Sequence, residues 1–322
     1  MDGRFFYPAI HSGIIIFIGL VMEKITYGNW PNCYRLSNGL IDLIVTGDVG
    51  PRIIHFGYTG KENEFVTFPE QLGLTGGNQW HSYGGHRFWA APEALPRTYH
   101  PDNDPVDCRE VDGFFRATAP VESTTLLQKE IDIWVEPHAA HVCVTHRLKN
   151  ASLWPITLAP WALSVMAAGG TGILPLPEYG RHGVPNLLPK TALAMWAYTD
   201  LSDPRFKIGA RYLLLSQSDH TVEPQKIGAS VPAGWTGYVR QGHFFLVKTA
   251  FQPQAVYPDA NSSVEFFTNE AIFEVETLGP TVELQPGASV EHVEDWYLFD
   301  QVPSPTCDDD VKQHILPLVR SV

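Results

Sequence analysis

From residue 34 onward the chain alternates short apolar or period-2 runs with clusters of Gly, Pro, Asn and Asp, and almost none of it shows the spacing of an amphipathic helix. Runs rich in β-branched and aromatic residues predict strands over Leu40–Thr46, Arg52–Tyr58, Phe114–Thr118, Gln128–Val135, His141–Leu148 and Ile156–Val165. Five more are predicted over Arg211–Ser216, His243–Ala250, Val264–Thr268, Ala271–Thr277 and Trp296–Phe299. Asp112-Gly113 and Pro137–Ala140 fall between such runs and read as hairpin connections, which implies antiparallel order. The 26 prolines and 27 glycines recur too often for long helices. One terminal helix is predicted, with Thr306 as N-cap, acidic residues 308–310 in its first turn, then Val311–Ile315. The Pro-rich stretch from Gly169 to Pro189 reads as a rim or lid.

No linker, charge block or fixed-period repeat divides the chain, so the expected architecture is all-β: one large sandwich over residues 23–302 with long loops over one face, then a tail, 303–322, carrying the helix. Two packed sandwich domains are the alternative. The apolar run Gly13–Met22 is too short to span a bilayer as a helix and lacks a signal-peptide cleavage pattern. Residues 1–22 therefore read as an N-terminal extension or a misplaced start. A formal charge of −13, from 35 acidic and 22 basic residues, argues against nucleic acid or an anionic membrane as partner and suits a small molecule. Four widely spaced cysteines without a CxxC pair predict free thiols, a cytoplasmic setting and no structural zinc. The oligomeric state is left open.

In a chain only 18% charged, residues 81–93 gather His81, His86, Arg87 and Glu93 with Tyr83, Phe88 and Trp89. Imidazole, guanidinium and carboxylate side by side supply a proton donor, an oxygen clamp and a base, and Tyr83 and Trp89 offer flat faces for stacking on a sugar ring. The competing reading is an aromatic core strand after a Gly-Gly turn, its histidines satisfied by backbone carbonyls. A metal site built from His81, His86 and Glu93 would need that turn to reorient the imidazoles and has no HExxH motif behind it, so no metal is expected. In the second informative segment, Glu270–Pro280, strand alternation puts Phe273 and Val275 on one face and Ile272, Glu274 and Glu276 on the other. Glu276, near a Gly-Pro stop, would be held rigidly as a general base; a solvated sheet face is the alternative. Paired with Glu93 it would suit glycoside hydrolysis. Lys226 and Tyr257-Pro258-Asp259 read either as pocket rim or as solvated loop, and His292 is assigned no role.

Val275-Glu276-Thr277 followed by Pro280, then Leu284-Gln285-Pro286-Gly287 and Trp296, resembles the C-terminal part of the galactose mutarotases, or aldose 1-epimerases. Asn38-Gly39, the Leu40–Thr46 run and Val49–Ile54 resemble that family's opening strands, and residues 148–163 resemble its central turn, proline and strand. The resemblance implies a galactose-mutarotase-like β-supersandwich in which a glutamate takes the anomeric proton and a histidine protonates the ring oxygen, with no cofactor. It places Glu276 as base. It also exposes a departure, because the family's His-Pro-Tyr or His-Ser-Tyr is replaced here by Ala159-Pro160-Trp161. The donor would then be His86 or His81, with His100 as a third choice. Gly84-Gly85 before His86-Arg87 resembles the segment carrying a sugar-contacting arginine in the hexose-6-phosphate branch. Arg87 and Arg52 are thus clamp candidates, against the alternative of buried arginines paired with acids. Trp89 and Trp161 would stack on the ring. The expected function is carbohydrate binding with aldose 1-epimerase-type isomerase chemistry, against a non-catalytic carbohydrate-binding protein or a glycoside hydrolase or lyase on the same scaffold.

Overall fold

The computed structural model describes residues 15–17 and 20–322. Among them, the runs assemble into two antiparallel sheets of twelve and ten strands packed face to face. In the larger sheet, successive strands from Ile15–Phe17 to Gly85–Ala91 lie side by side, followed by Ile156–Met166, Phe273–Leu278, Val264–Thr268, Gln225–Ala229 and Leu193–Met195. The inner faces meet in an apolar core that includes Phe56, Phe65, Phe245, Phe266 and Trp296. Phe273 and Val275 belong to this core, as strand alternation predicts.

The predicted strands are present, with ends displaced by a few residues. Phe114–Thr118 and Val264–Thr268 match, whereas Trp296–Phe299 is only the end of a longer strand, Ser289–Phe299. Strands outside the predicted runs include Leu20–Tyr27, Trp30–Ser37, Thr171–Pro175, Gln225–Ala229, Trp235–Arg240 and Gly85–Ala91, the last being the aromatic core strand after a Gly-Gly turn weighed as the competing reading of that segment. The last four are buried almost throughout, so both faces are covered and the period-2 signal vanishes. Asp112-Gly113 turns the hairpin from Asp107–Val111 to Phe114–Thr118 with φ of 52° and 86°. Leu20–Tyr27 crosses the boundary drawn at residue 22 and pairs with Trp30–Ser37; residues 1–14 and 18–19 of the expected extension lie outside the described residues. The expected rim from Gly169 to Pro189 begins instead with the buried Thr171–Pro175 strand, and the irregular stretch runs over 176–192.

The terminal helix begins at Asp308 with Cys307 as N-cap, one residue later than predicted. Thr306 instead donates its N–H and hydroxyl to Asp310 Oδ2, at 2.8 and 2.7 Å. Val311, Ile315 and Val319 recur every four residues and cover the outer face of the smaller sheet against Ile173, Leu214, Trp235 and Phe244. All four cysteines are free. No helix among the described residues is long and apolar enough to cross a membrane.

Candidate functional site

Strand register alone gathers the polar face of the larger sheet. Arg87, Leu163, Glu276, Glu265 and Gly228 are successive cross-strand partners, and Gly85, Val165, Glu274, Phe267 and Lys226 form the neighbouring row on the same face. Trp89, Trp161 and Leu278 make a third row. Entry into the Gly85–Ala91 strand depends on Gly84 and Gly85, at φ of +90° and +73°; a Cβ would lie 2.1 Å from the Val66 carbonyl oxygen at the first and 2.4 Å from that of Ile53 at the second. Arg52 fixes this turn from below, donating from Nη1 to the Ser82 and Gly84 carbonyls at 2.8 Å each and from Nη2 to Asp102 at 2.8 Å.

Above these rows lie two adjoining hollows of about 430 and 370 Å³ that share Glu93, Tyr99, Trp161 and Lys226 as walls. Asp259 and Trp196 close one; Trp80, Trp89, Tyr198, Arg87 and Glu274 line the other. Arg87 donates to Glu274 Oε1 at 2.8 Å, and its guanidinium lies 4.3 Å from the Trp89 ring centre and 5.9 Å from that of Trp80. Lys226 Nζ is 3.1 Å from both Glu276 Oε2 and Glu265 Oε2 and 4.8 Å from the Trp161 and Trp196 rings. Trp161 Nε1 also donates to Glu276 Oε2, at 2.8 Å. Tyr99 donates its hydroxyl to Glu93.

Charge is scarce in this floor and unevenly matched. Burial pushes the Glu276 carboxyl up to about 7, with Lys226 opposing and Glu274 adding to the rise. Burial raises Glu265 well above the usual carboxylate range, against Lys226. Burial alone would discharge Lys226, but Glu276, Glu265 and Glu274 together hold its ammonium above the ordinary value. Two carboxyls facing one ammonium mean that Lys226 keeps its proton and that one of the two carboxyls retains one near neutrality. Asp259 is raised by burial, with Lys226 opposing.

Of the residues singled out in the sequence, Arg87, Trp89, Glu93, Trp161 and Glu276 gather here, although Glu276 has no exposed surface and lies beneath Lys226 and Trp161. The others do not. His86 alternates to the opposite face of its strand, where Nδ1 meets Ser164 Oγ at 2.9 Å and Nε2 meets His146 Nε2 at 2.6 Å. His146 Nδ1 pairs with the His292 carbonyl at 2.9 Å, so His146 Nε2 accepts from His86 and His86 Nδ1 accepts from Ser164. Burial depresses all three imidazoles, His146 to about 4, His292 to about 3 and His86 well below its ordinary value. With Glu294, pushed by burial up to about 7, His86 and His146 form a cluster of metal-ligand type whose donor atoms lie within 4.8 Å. As they stand, the two imidazoles satisfy each other and leave no lone pair for an ion.

His81 is half-buried, with its ring 5.4 Å from that of Tyr83, and does not line the hollows. His100 bonds Thr124 Oγ1 at 2.8 Å in a separate cavity of about 420 Å³ beside Pro101, Asp102 and Ser123. Arg52 is fully buried and committed to backbone and Asp102, which is the alternative weighed for it. Lys226 and Asp259 are cavity walls, and Lys226 stands in a buried strand rather than a solvated loop. Sequence reasoning missed Glu265, Trp80, Tyr99, Trp196 and Tyr198. The available signal was three acids on the two predicted strands Val264–Thr268 and Ala271–Thr277, a concentration that calls for a buried cation.

No family model and no curated sequence matches the chain. Solved structures do resemble it. A candidate aldose 1-epimerase from Klebsiella pneumoniae superposes with a TM-score of 0.57 at 11% identity, covering 94% of this chain and 87% of the other. A galactose mutarotase-like protein from Lactobacillus casei gives 0.53 at 10% identity, with 83% and 100% covered. A TPR-domain containing protein from Parabacteroides distasonis gives 0.55 at 13%, with 85% of this chain covered; this chain spans only 48% of its length. At such identities the likeness establishes architecture alone: the chain folds as a galactose-mutarotase-like β-sandwich.

Proposed function

We propose that the aromatic face of the larger sheet binds a carbohydrate and that binding, without turnover at the anomeric carbon, is its function. The observation that carries this reading is the cavity itself, walled by Trp80, Trp89, Tyr99, Trp161, Trp196 and Tyr198, with Arg87 and Lys226 held in place by buried acids. Pyranose C–H faces stack on such rings, while ring hydroxyls find oriented donors and acceptors. Against turnover stand two facts: no histidine lines either hollow among the described residues, and the Glu276 carboxylate has no exposed surface. The net charge of −13 supports a ligand other than nucleic acid or an anionic membrane.

Calorimetric titration with aldohexoses and their derivatives, run beside polarimetry of freshly dissolved α-glucose and α-galactose, tests the reading. Saturable binding that weakens about tenfold in Trp196→Ala, which alters a half-buried wall of the hollow, without faster mutarotation, is the expected outcome. Absence of binding by every sugar rejects it. A second reading, aldose 1-epimerase chemistry with Glu276 as base, draws support from its Oε1, which has no partner, and from a carboxyl poised at about 7. Under that reading mutarotation accelerates and Glu276→Gln abolishes the acceleration.

A further inference from the structure

The cavity selects its ligand by charge as well as by shape. Three carboxyls, Glu93, Asp259 and Glu274, line the hollows beside two cations, Arg87 and Lys226, and two more, Glu265 and Glu276, lie buried beneath Lys226. Both cations are already engaged: Arg87 with Glu274, and Lys226 with Glu265 and Glu276. An incoming carboxylate or phosphate would meet no free positive charge and a surplus of negative charge, which disfavours uronic and phosphorylated sugars.

The surplus is concentrated at one place. Glu93 and Asp259 both line the same hollow, and neither forms a salt bridge with any cation among the described residues. Glu93 is exposed and receives only the Tyr99 hydroxyl. Asp259 is delivered by a turn in which residues 259, 260 and 261 all have left-handed φ, of 48°, 57° and 70°. None is glycine, the residue that adopts such a backbone without strain. Asn261 Oδ1, accepting from Tyr257 N at 2.9 Å, and Ser262 Oγ, donating to the Asp259 carbonyl at 2.7 Å, hold the turn. Independently, the almost fully buried Arg87 borders the adjoining hollow, its Nε and Nη1 enclosed by neighbouring side chains and without a partner.

Resting on the reading of the cavity as a carbohydrate site, we propose that the sugar it takes is an aminated pyranose with a free ammonium, received between Asp259 and Glu93 while the ring stacks on the half-buried Trp196 of the same hollow. An ammonium gains charge-assisted hydrogen bonds there that a hydroxyl or an acetamide does not.

The test is a set of titrations at pH 7 and low salt with glucosamine and galactosamine, their N-acetylated forms, the parent hexoses and the matching uronates, followed by tryptophan fluorescence. The amines should bind about tenfold tighter than the parent hexoses, as a hydrogen-bonded charge pair implies, with the uronates weakest. The amine-to-hexose ratio should shrink at high salt and fall towards one in Asp259→Asn and in Glu93→Gln, the latter altering an exposed side chain that the fold does not need. Parent hexoses or uronates binding as tightly as the amines, or a ratio unmoved in both variants, overturns this inference and leaves the carbohydrate reading standing. Failure of all four classes to bind removes the carbohydrate reading and this inference with it.

Discussion

Replacing Lys226 by Met removes the ammonium shared by two buried carboxyls while keeping most of the volume of the side chain. Glu265 and Glu276, both without exposed surface, would then face one another with no cation in reach except Arg87, which Glu274 already holds. Ionised carboxylates cannot stay so buried, and a carboxyl that is an anion in the wild type takes up a proton instead. The cost follows from linkage. Each carboxyl kept neutral in the fold, against an ordinary value of 4.5, loses about 1.4 kcal/mol for every pH unit above that value. At pH 7.5 the variant should be about 4 kcal/mol less stable than the wild type, and at pH 5 by under about 1 kcal/mol. The sign is that of a raised carboxyl: stability is full below the unfolded value and is lost as pH rises towards the folded one. Urea unfolding at the two pH values measures both differences. An equal loss at pH 5 and pH 7.5 would point to packing rather than charge and refute the reasoning, as would a loss below about 1 kcal/mol at pH 7.5.

Between the two sheets, Glu294 and the buried imidazoles of His146 and His292, all carried by the smaller sheet, act in opposite directions. His146 and His292, depressed to about 4 and about 3, give stability present above the unfolded value of 6.5 and lost on acidification; Glu294, raised to about 7, gives stability lost as pH climbs from 4.5. Glu294→Gln removes the second effect, so its stability difference between pH 6.5 and 4.5 should exceed that of the wild type by about 2–3 kcal/mol in urea titrations; equal slopes would mean that the carboxyl titrates normally. Gly84→Ala forces a Cβ to within 2.1 Å of the Val66 carbonyl oxygen at φ +90°, and should cost about 3 kcal/mol or more in the same assay.

Much of the fold was legible because half-buried strands advertise themselves. Phe114–Thr118, Gln128–Val135 and His141–Leu148 alternate between buried and partly exposed positions and carry β-branched or aromatic residues. Gln225–Ala229 stayed hidden for the opposite reason: covered on both faces, it has no solvated side to report. Lys226 then looks like a loop charge when it is a cation buried opposite acids, whereas for Arg87 a buried pairing with an acid is already the alternative to a clamp. Glu276 was legible because alternation within a recognisable strand separates its face from that of Phe273 and Val275. The aromatic walls were not, since Trp80, Tyr99, Trp196 and Tyr198 come from loops whose approach to the sheet no local pattern encodes.

The histidine-rich segment shows how far a cluster in sequence can be from a cluster in space. Residues 81–93 look like one pocket, yet once Gly85–Ala91 is a strand, successive side chains must part. His86 goes to the core with Ser164 and His146, and Arg87 goes to the cavity with Glu274. A slip of one residue would exchange them, placing a guanidinium against Trp296 and an imidazole beside Glu274, and both networks would lose their partners. The register therefore depends on polar groups as well as apolar ones. It also divides the chemistry of the segment: the imidazole of His86 goes to the core, while the cavity is left with carboxyls, one ammonium and one guanidinium. A face with those groups can bind and orient a sugar through charge and stacking, but its proton traffic would have to run between carboxyls, which is why affinity and anomeric turnover need to be measured separately here.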